Sequence, residues 1–337
     1  MSAYVWSDYV LDRIREVIQR DVNNRGLASD PHDNLFTACR DDFANACRSV
    51  ASTLQPTFFI VTGFFIPHAQ PPCGETDGPL GAIFLARAGQ ELGIKVVLVT
   101  DVFCRAALEA GLQACALETK VPVLVLPDRR TPDAYTGWFT LQALQGKWLP
   151  AGLTLPTHLI ALERVGPGFD GCCRNMHGRD VTEEMCPAHR FFEKPRLLKR
   201  LNSTIGIGDG GNEIGMGKIP PEVIARNIPH GEQIACRVPT DHLIVAGVSN
   251  WGAYALAAGV AVLRRSRLPA SLFDVERERE LLRIIVEQGP LVDGVTGRQT
   301  VTVDGLPFDD YAEPLRRIGE ILEKEQCLTF EERPGPK

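Results

Sequence analysis

The amino-acid sequence predicts an α/β fold: a mostly parallel, Rossmann-like sheet flanked by helices, with helical additions at both ends. A dense apolar run at 57–65 is followed by a loop, a segment at 79–92 with apolar residues at helical spacing, and a second apolar run at 94–101. This order is that of a βαβ unit, which implies parallel strands. Further apolar runs without polar alternation are typical of strands covered on both faces. The length of 337 residues, 44% of them hydrophobic, allows a substantial core.

The remaining elements follow in chain order. Two helices are expected before the sheet, at about 5–20 and 33–53, because apolar residues recur near helical spacing in the first and Asp30-Pro31 or Asp33 suits the start of the second. After the βαβ unit, strands are predicted at 121–127, 157–165, 203–208, 234–238 and 242–249. A loop or insertion is expected at 128–150, and charged helices at about 275–288 and 309–326.

These elements suggest three parts along the chain. Residues 1–55 form an N-terminal helical segment, 56–270 the α/β domain, and 271–337 a C-terminal helical segment packed on the same body.

Composition narrows the range of partners. The chain has 36 Lys and Arg against 42 Asp and Glu, a net charge of −6, and no basic block, so a nucleic-acid partner is not expected. The longest weakly charged stretch, 243–263, is interrupted by Ser249 and Asn250, which argues against a membrane span. Acidic residues within the first helix argue against a transit peptide. A cytoplasmic location and a small-molecule partner are therefore expected.

Polar side chains follow several predicted strands, where ligands bind in parallel α/β sheets. Glu75 and Asp77 stand in a glycine-rich loop before a helix, and Glu163 and Arg164 follow another strand. The remaining polar residues at strand ends are Asp101, Asp209, Asn212, Glu213, Lys218, Ser249 and Asn250.

The acidic loops indicate a divalent cation. Oxygen ligands on tight glycine turns suit Mg²⁺ or Mn²⁺, and the candidate ligands are Glu75, Asp77, Asp209, Asn212 and Glu213. The alternative is that the acids cap helices, where the helix dipole stabilises each by about 0.3–1 kcal/mol. For Asp77 alone, before Pro79, a cap is the better interpretation. Acidic loops at the ends of two different strands favour a ligand site.

Two further motifs have more than one interpretation. The string at 206–211, GIGDGG, fits a dinucleotide fingerprint, but Asp209 would oppose a pyrophosphate and no acidic strand end follows where a ribose ligand belongs, so no nucleotide cofactor is expected. In the turn at 175–180, Asn175, Arg179 and Asp180 either hold a polar ligand or satisfy their own backbone.

Several long motifs together resemble one family. They are GFFIP (63–67), PCGETDGPLGA (72–82), NMHGRD (175–180), TIGIGDGGNEIGMGK (204–218) and SNWGAYAL (249–256). This set looks like the domain found as the C-terminal part of D-glutamate cyclase, which also occurs as a free-standing protein, and the resemblance spans roughly 55–265. It implies an α/β enzyme that closes D-glutamate to 5-oxo-D-proline with loss of water.

That chemistry assigns roles to the candidate residues. A cation on the γ-carboxylate would act as a Lewis acid. Glu163 or Asp180 would take a proton from the α-amine, and Arg164 or Arg179 would pair with the α-carboxylate. Asn175, Lys218, Ser249 and Asn250 are candidate substrate-binding residues.

Two other functions fit the same loops. One is a metal-dependent phosphatase or hydrolase of a small phosphorylated metabolite, because a cation also polarises phosphoryl oxygens. The other is a non-catalytic metabolite-binding module, which fold alone never excludes. In each case the expected partner is a small acidic metabolite, and a homodimer is compatible with the sequence.

Overall fold

The computed structural model describes residues 3–127, 154–193 and 200–327, so the predicted loop at 128–150 lies outside the described residues. Its strands are β1 (Thr57–Thr62), β2 (Phe65–Ile66), β3 (Cys73–Gly74), β4 (Lys95–Thr100), β5 (Val123–Val125), β6 (His158–Leu162), β7 (Ser203–Gly208), β8 (His242–Val245), β9 (Thr302–Val303) and β10 (Leu306–Pro307). Six of them form the main sheet, and the others form two short antiparallel pairs, β2 with β3 and β9 with β10.

The main sheet has Rossmann topology. Its strand order is β5-β4-β1-β6-β7-β8, with every neighbouring pair parallel. Counted along the chain among these six strands, the order is 3-2-1-4-5-6. The predicted α/β fold with a parallel sheet is thus confirmed. The direction of winding reverses between β1 and β6, and such a switch point leaves a ligand crevice beyond the carboxyl ends of the two strands.

Both faces of the sheet are buried. Alternate residues of β1 point to opposite sides: Phe58 and Ile60 join one core cluster, and Phe59 and Val61 join another. Helices cover the first face, and the 214–238 segment contributes much of the cover of the second. This explains why the strands are continuously apolar in sequence.

The helices are α1 (Ala3–Ile18), α2 (Leu35–Ala38), α3 (Asp42–Ser52), α4 (Pro79–Leu92), α5 (Val102–Ala114), α6 (His189–Glu193), α7 (Pro221–Asn227), α8 (Gly231–Ile234), α9 (Ser249–Arg264), α10 (Val275–Gln288) and α11 (Phe308–Cys327). α9 packs against α1, α3, α4 and α11, while α3 also contacts β8 and α10 contacts α5, so both terminal segments pack on the α/β body. Among the described residues, no helix is long and apolar enough to cross a membrane.

Two of the predicted elements are wrong. The helix expected at 33–53 is two helices, because Asn34 caps α2 and Cys39 has non-helical dihedrals that end it before α3 begins. The strand expected at 234–238 is instead the end of α8 and an extended segment. Its backbone bonds to loops rather than to a strand: Cys236 N–H donates to Gly211 O and Arg237 N–H to Pro167 O. Burial under those loops explains its apolar pattern.

Candidate functional site

A cavity of about 530 Å³ lies at the carboxyl edge of the sheet, lined by residues that follow β1, β6 and β7. Its walls also include Asn23 and Arg25 from the N-terminal part of the chain and residues 294–296 and 304–305 from the C-terminal part. The cavity therefore occupies the crevice that the switch point between β1 and β6 predicts.

Glu163 follows β6 directly and has a strained backbone. Its φ is +45°, a conformation that costs a non-glycine residue roughly 1–3 kcal/mol and is often found at functional sites. Its backbone N–H donates to Ile207 O, and Ser249 Oγ donates to its Oε2 over 2.6 Å. Burial raises the pKa of Glu163 well above its usual value, and the nearby Asp209 and Glu213 carboxylates raise it further.

The loop after β7 places two more carboxylates beside Glu163. Asp209 N–H donates to Glu213 Oε1 over 2.8 Å, while Glu213 Oε2 is buried and has no hydrogen-bond partner in the described chain. One oxygen each from Glu163, Asp209 and Glu213 lies within 4.8 Å of the other two. We call these three residues the acidic triad. Asn212 lines the same cavity, and its Nδ2 donates to Arg174 O.

Arg25 and Asp304 lie beside the acidic triad in the cavity, and neither was predicted from the sequence. Arg25 NH2 lies 2.8 Å from Asp209 Oδ2, and its NH1 lies 3.3 Å from Asp304 Oδ2. Burial raises the pKa of Asp304 to about 8 and that of Asp209 to about 6, although Arg25 opposes both shifts. The signal available in the sequence was Asp304-Gly305, a dipeptide typical of tight hairpins. Both residues have positive φ between β9 and β10, which fits such a turn.

Asp77, Asp209 and Asp304 form a second group of oxygens within 4.8 Å of one another. The oxygens of Asp77 are already engaged, because Oδ2 accepts the N–H of Ser249 and Oδ1 that of Asn250, each within 2.9 Å. Asp77 thus binds the amino end of α9. The capping alternative for Asp77 has structural support, although the helix it caps is not the one that follows it in sequence.

Asn250 binds the amino end of α4 in return. Its Oδ1 accepts the N–H of Gly78 over 2.9 Å and that of Gly81 over 2.7 Å. Asn250 is fully buried and is not among the residues that line the cavity. α4 and α9 therefore cap each other through Asp77 and Asn250.

We expect Asn250→Ala to lower the free energy of unfolding by roughly 2 kcal/mol, because it leaves a buried backbone N–H without an acceptor. Urea unfolding measures this. Asn202→Ala, at an exposed asparagine, is the control and should change it by less than about 0.5 kcal/mol. Unchanged stability with lost ligand binding would return Asn250 to a substrate-binding role.

Glu75 is buried and lines the cavity. An added Cβ at Gly294 would overlap Glu75 Oε2, so the carboxylate packs directly against the chain at that position. Burial raises the pKa of Glu75 well above its usual value, and the Asp304, Asp77 and Asp209 carboxylates add to the rise. Glu75 belongs to neither of the two groups of close carboxylate oxygens that the described residues form.

Several predicted site residues lie elsewhere. Arg164 is fully buried in an ion pair with Asp101, and its NH2 donates to Cys186 O over 2.6 Å. Lys218 pairs with Asp42 over 2.6 Å. Neither Lys218 nor Arg164 lines the cavity.

The turn at 175–180 contributes only partly to the cavity. Asn175 lines it, and its Oδ1 accepts the N–H groups of His177 and Arg179, as expected of a residue that satisfies its own turn. Arg179 and Asp180 are exposed and lie outside the cavity lining, and Asp180 Oδ1 accepts the Thr182 N–H over 2.8 Å.

The GIGDGG string lacks the context of a dinucleotide site. Residues 209–219 form turns, bends and isolated β-bridges, and the next helix, α7, starts only at Pro221. No helix amino end therefore directly follows the glycines to hold a pyrophosphate.

The fold and the cavity define an α/β protein of Rossmann topology with a carboxylate-rich cavity at the carboxyl edge of its sheet. More particularly, the chain belongs to the D-glutamate cyclase-like family: the family described as "D-glutamate cyclase-like, C-terminal" matches residues 14–319. The resemblance drawn from the motifs is confirmed, and the match also covers the segments that carry Arg25 and Asp304.

One curated relative is the Homo sapiens protein named "D-glutamate cyclase, mitochondrial". It is 30% identical over 344 residues, an alignment that covers 95% of this chain and 53% of the relative. The chain thus spans about half the length of that relative.

Proposed function

We propose that the protein converts D-glutamate to 5-oxo-D-proline and water with the help of a divalent cation, Mg²⁺ or Mn²⁺. The observation that carries the proposal is the acidic triad: three buried carboxylates at the floor of a ligand cavity, one of which has an oxygen without a partner. Membership of the D-glutamate cyclase-like family supports the reaction.

The donor set fits a hard cation. Carboxylate oxygens are the ligands that Mg²⁺ and Mn²⁺ prefer, and buried charges require a counter-charge. The acidic triad is the better of the two groups. Arg25 pairs with two of the three carboxylates in the other group, Asp209 and Asp304, but in the triad it pairs with Asp209 alone, and Glu213 Oε2 remains free. Glu163, Asp209 and Glu213 would hold the cation, which would supply Lewis-acid polarisation of the γ-carboxylate.

Glu75 is the best-placed general base. Its carboxylate reaches the cavity outside the acidic triad, and burial beside other carboxylates raises its pKa and so makes it a stronger base than an ordinary glutamate. In the reaction the α-ammonium loses two protons, the nitrogen bonds to the carbon of the γ-carboxylate, and one oxygen of that carboxylate leaves. The two protons are those of the water that forms, so a single carboxyl group can carry each from nitrogen to oxygen. The sequence predicted Glu75 as a metal ligand and Glu163 as a base, and in this proposal the two roles are exchanged.

The test is direct. Chelator-stripped protein is reloaded with Mn²⁺ or Mg²⁺ and incubated with D-glutamate, and 5-oxo-D-proline is followed by chiral chromatography. We expect product only with metal, and the same protein without metal is the control. Metal binding without product would contradict the proposal. Release of phosphate from a panel of phosphomonoesters would then favour the hydrolase. No product in either assay would favour the binding module.

A further inference from the structure

Three exposed histidines line the cavity: His68, His177 and His230. The chain has 7 histidines, so nearly half of them lie around one cavity. Their rings form no hydrogen bond with any residue that the structure describes, which leaves their N–H groups available to a ligand.

Two of these histidines come from adjoining segments. An added Cβ at Gly178 would lie 2.6 Å from Gln233 Oε1, so the turn that carries His177 packs against α8, which begins just after His230. The same turn also covers the loop after β7, because Met176 Sδ lies 2.6 Å from an added Cβ at Gly210. His177 and His230 therefore stand on the side of the cavity that carries Asp209 and Glu213.

His68 has a different environment. Its Cδ2 lies 2.7 Å from an added Cβ at Gly297, so the ring packs against the loop at 293–305.

The charges around the cavity explain why histidines would be needed there. Among the described residues that line it, Arg25 is the one with a permanent positive charge, and its guanidinium already bridges Asp209 and Asp304. A cation on the acidic triad would attract one carboxylate of a dicarboxylic substrate. The second carboxylate would be repelled by the carboxylates of the cavity unless N–H donors lie near it. An imidazole supplies such a donor whether it is neutral or charged.

We propose that His177 and His230 bind the α-carboxylate of the substrate and thereby determine specificity. This inference rests on the proposed function, which supplies D-glutamate as the substrate. The product 5-oxo-D-proline keeps the α-carboxylate, so it uses the same pair. The α-amide of D-glutamate keeps the γ-carboxylate and lacks the α-carboxylate, so it does not.

Calorimetry with Mn²⁺-loaded protein tests this pair. For His177→Gln and for His230→Gln we expect the Kd of D-glutamate and that of 5-oxo-D-proline to rise about tenfold, as for the loss of a hydrogen bond to a charged group. The Kd of the α-amide should stay unchanged. His32→Gln, at an exposed histidine outside the cavity lining, is the matched control and should bind all three ligands like wild type.

The outcomes separate this inference from the proposed function. Equal weakening of D-glutamate and its α-amide, no weakening of either, or no binding of D-glutamate to the wild type would overturn the histidine pair. Turnover of D-glutamate by the wild type is measured independently. Selective loss of α-carboxylate binding in a protein without turnover would support the pair and reject the cyclase.

Discussion

Replacing Glu75 by glutamine should lower the rate of D-glutamate cyclisation by roughly a hundredfold or more, the usual effect of losing a general base. Glutamine keeps the shape and the contact with Gly294 but cannot take a proton from the ammonium group. Because Glu75 lies outside the acidic triad, the affinity for Mn²⁺ should stay close to that of the wild type. Steady-state kinetics and metal titration of the same preparation measure both quantities.

The matched control is Glu184→Gln, at an exposed glutamate outside the cavity lining, which should leave both quantities unchanged. If Glu75→Gln loses metal and turnover in parallel, Glu75 is a ligand, as its loop in the sequence first suggested. If turnover survives, the base must be another group in the cavity.

The sheet and the location of the candidate site could be predicted from local sequence. β7 and α4 have the predicted bounds, and β1, β4, β6 and β8 differ from the predicted ranges mainly at their ends. A buried parallel strand needs only a continuous apolar run, which is visible in a single sequence. The rule that ligands bind at the carboxyl ends of strands then led to Glu163, Asp209 and Glu213.

The partners of these residues depend on contacts between distant parts of the chain. Asp77 and Asn250 are polar residues at strand ends, as ligands would be, yet each accepts backbone N–H groups at the amino end of the helix near the other, 173 positions away along the chain. Arg25 and Asp304 meet Asp209 from opposite ends of the sequence. Periodicity and turn propensity carry no information about such pairs, because they describe only neighbouring residues.

The partner of Arg164 also could not be predicted from the sequence. A basic residue after a strand suggested a carboxylate ligand, but its guanidinium is fully buried against Asp101 and the backbone of Gly63 and Cys186. A buried arginine requires such partners, and once it has them it is not available to a substrate. The sequence alone could not indicate that Arg164 would pair with Asp101 rather than with the carboxylate of a substrate.

Replacing Asp209 by asparagine should raise the Kd for Mn²⁺ by more than tenfold, about 1.4 kcal/mol or more of binding free energy. Asp209 is the one residue shared by the two groups of close carboxylate oxygens in the described chain, so the loss is expected whichever group holds the cation. Calorimetry of chelator-stripped protein measures the change. Asp170→Asn is the control, because Asp170 is exposed and pairs with Arg174 outside the cavity lining.

Two further variants decide between the groups. Glu213→Gln should weaken Mn²⁺ binding about as much as Asp209→Asn, because Glu213 supplies the unpartnered oxygen of the acidic triad. Asp304→Asn should weaken it much less, since Arg25 already neutralises that carboxylate. The reverse order would move the cation to Asp77, Asp209 and Asp304 and would require Arg25 to leave its present partners. If all three variants bind Mn²⁺ with the affinity of the wild type, the acidic residues of the cavity serve only as partners for Arg25.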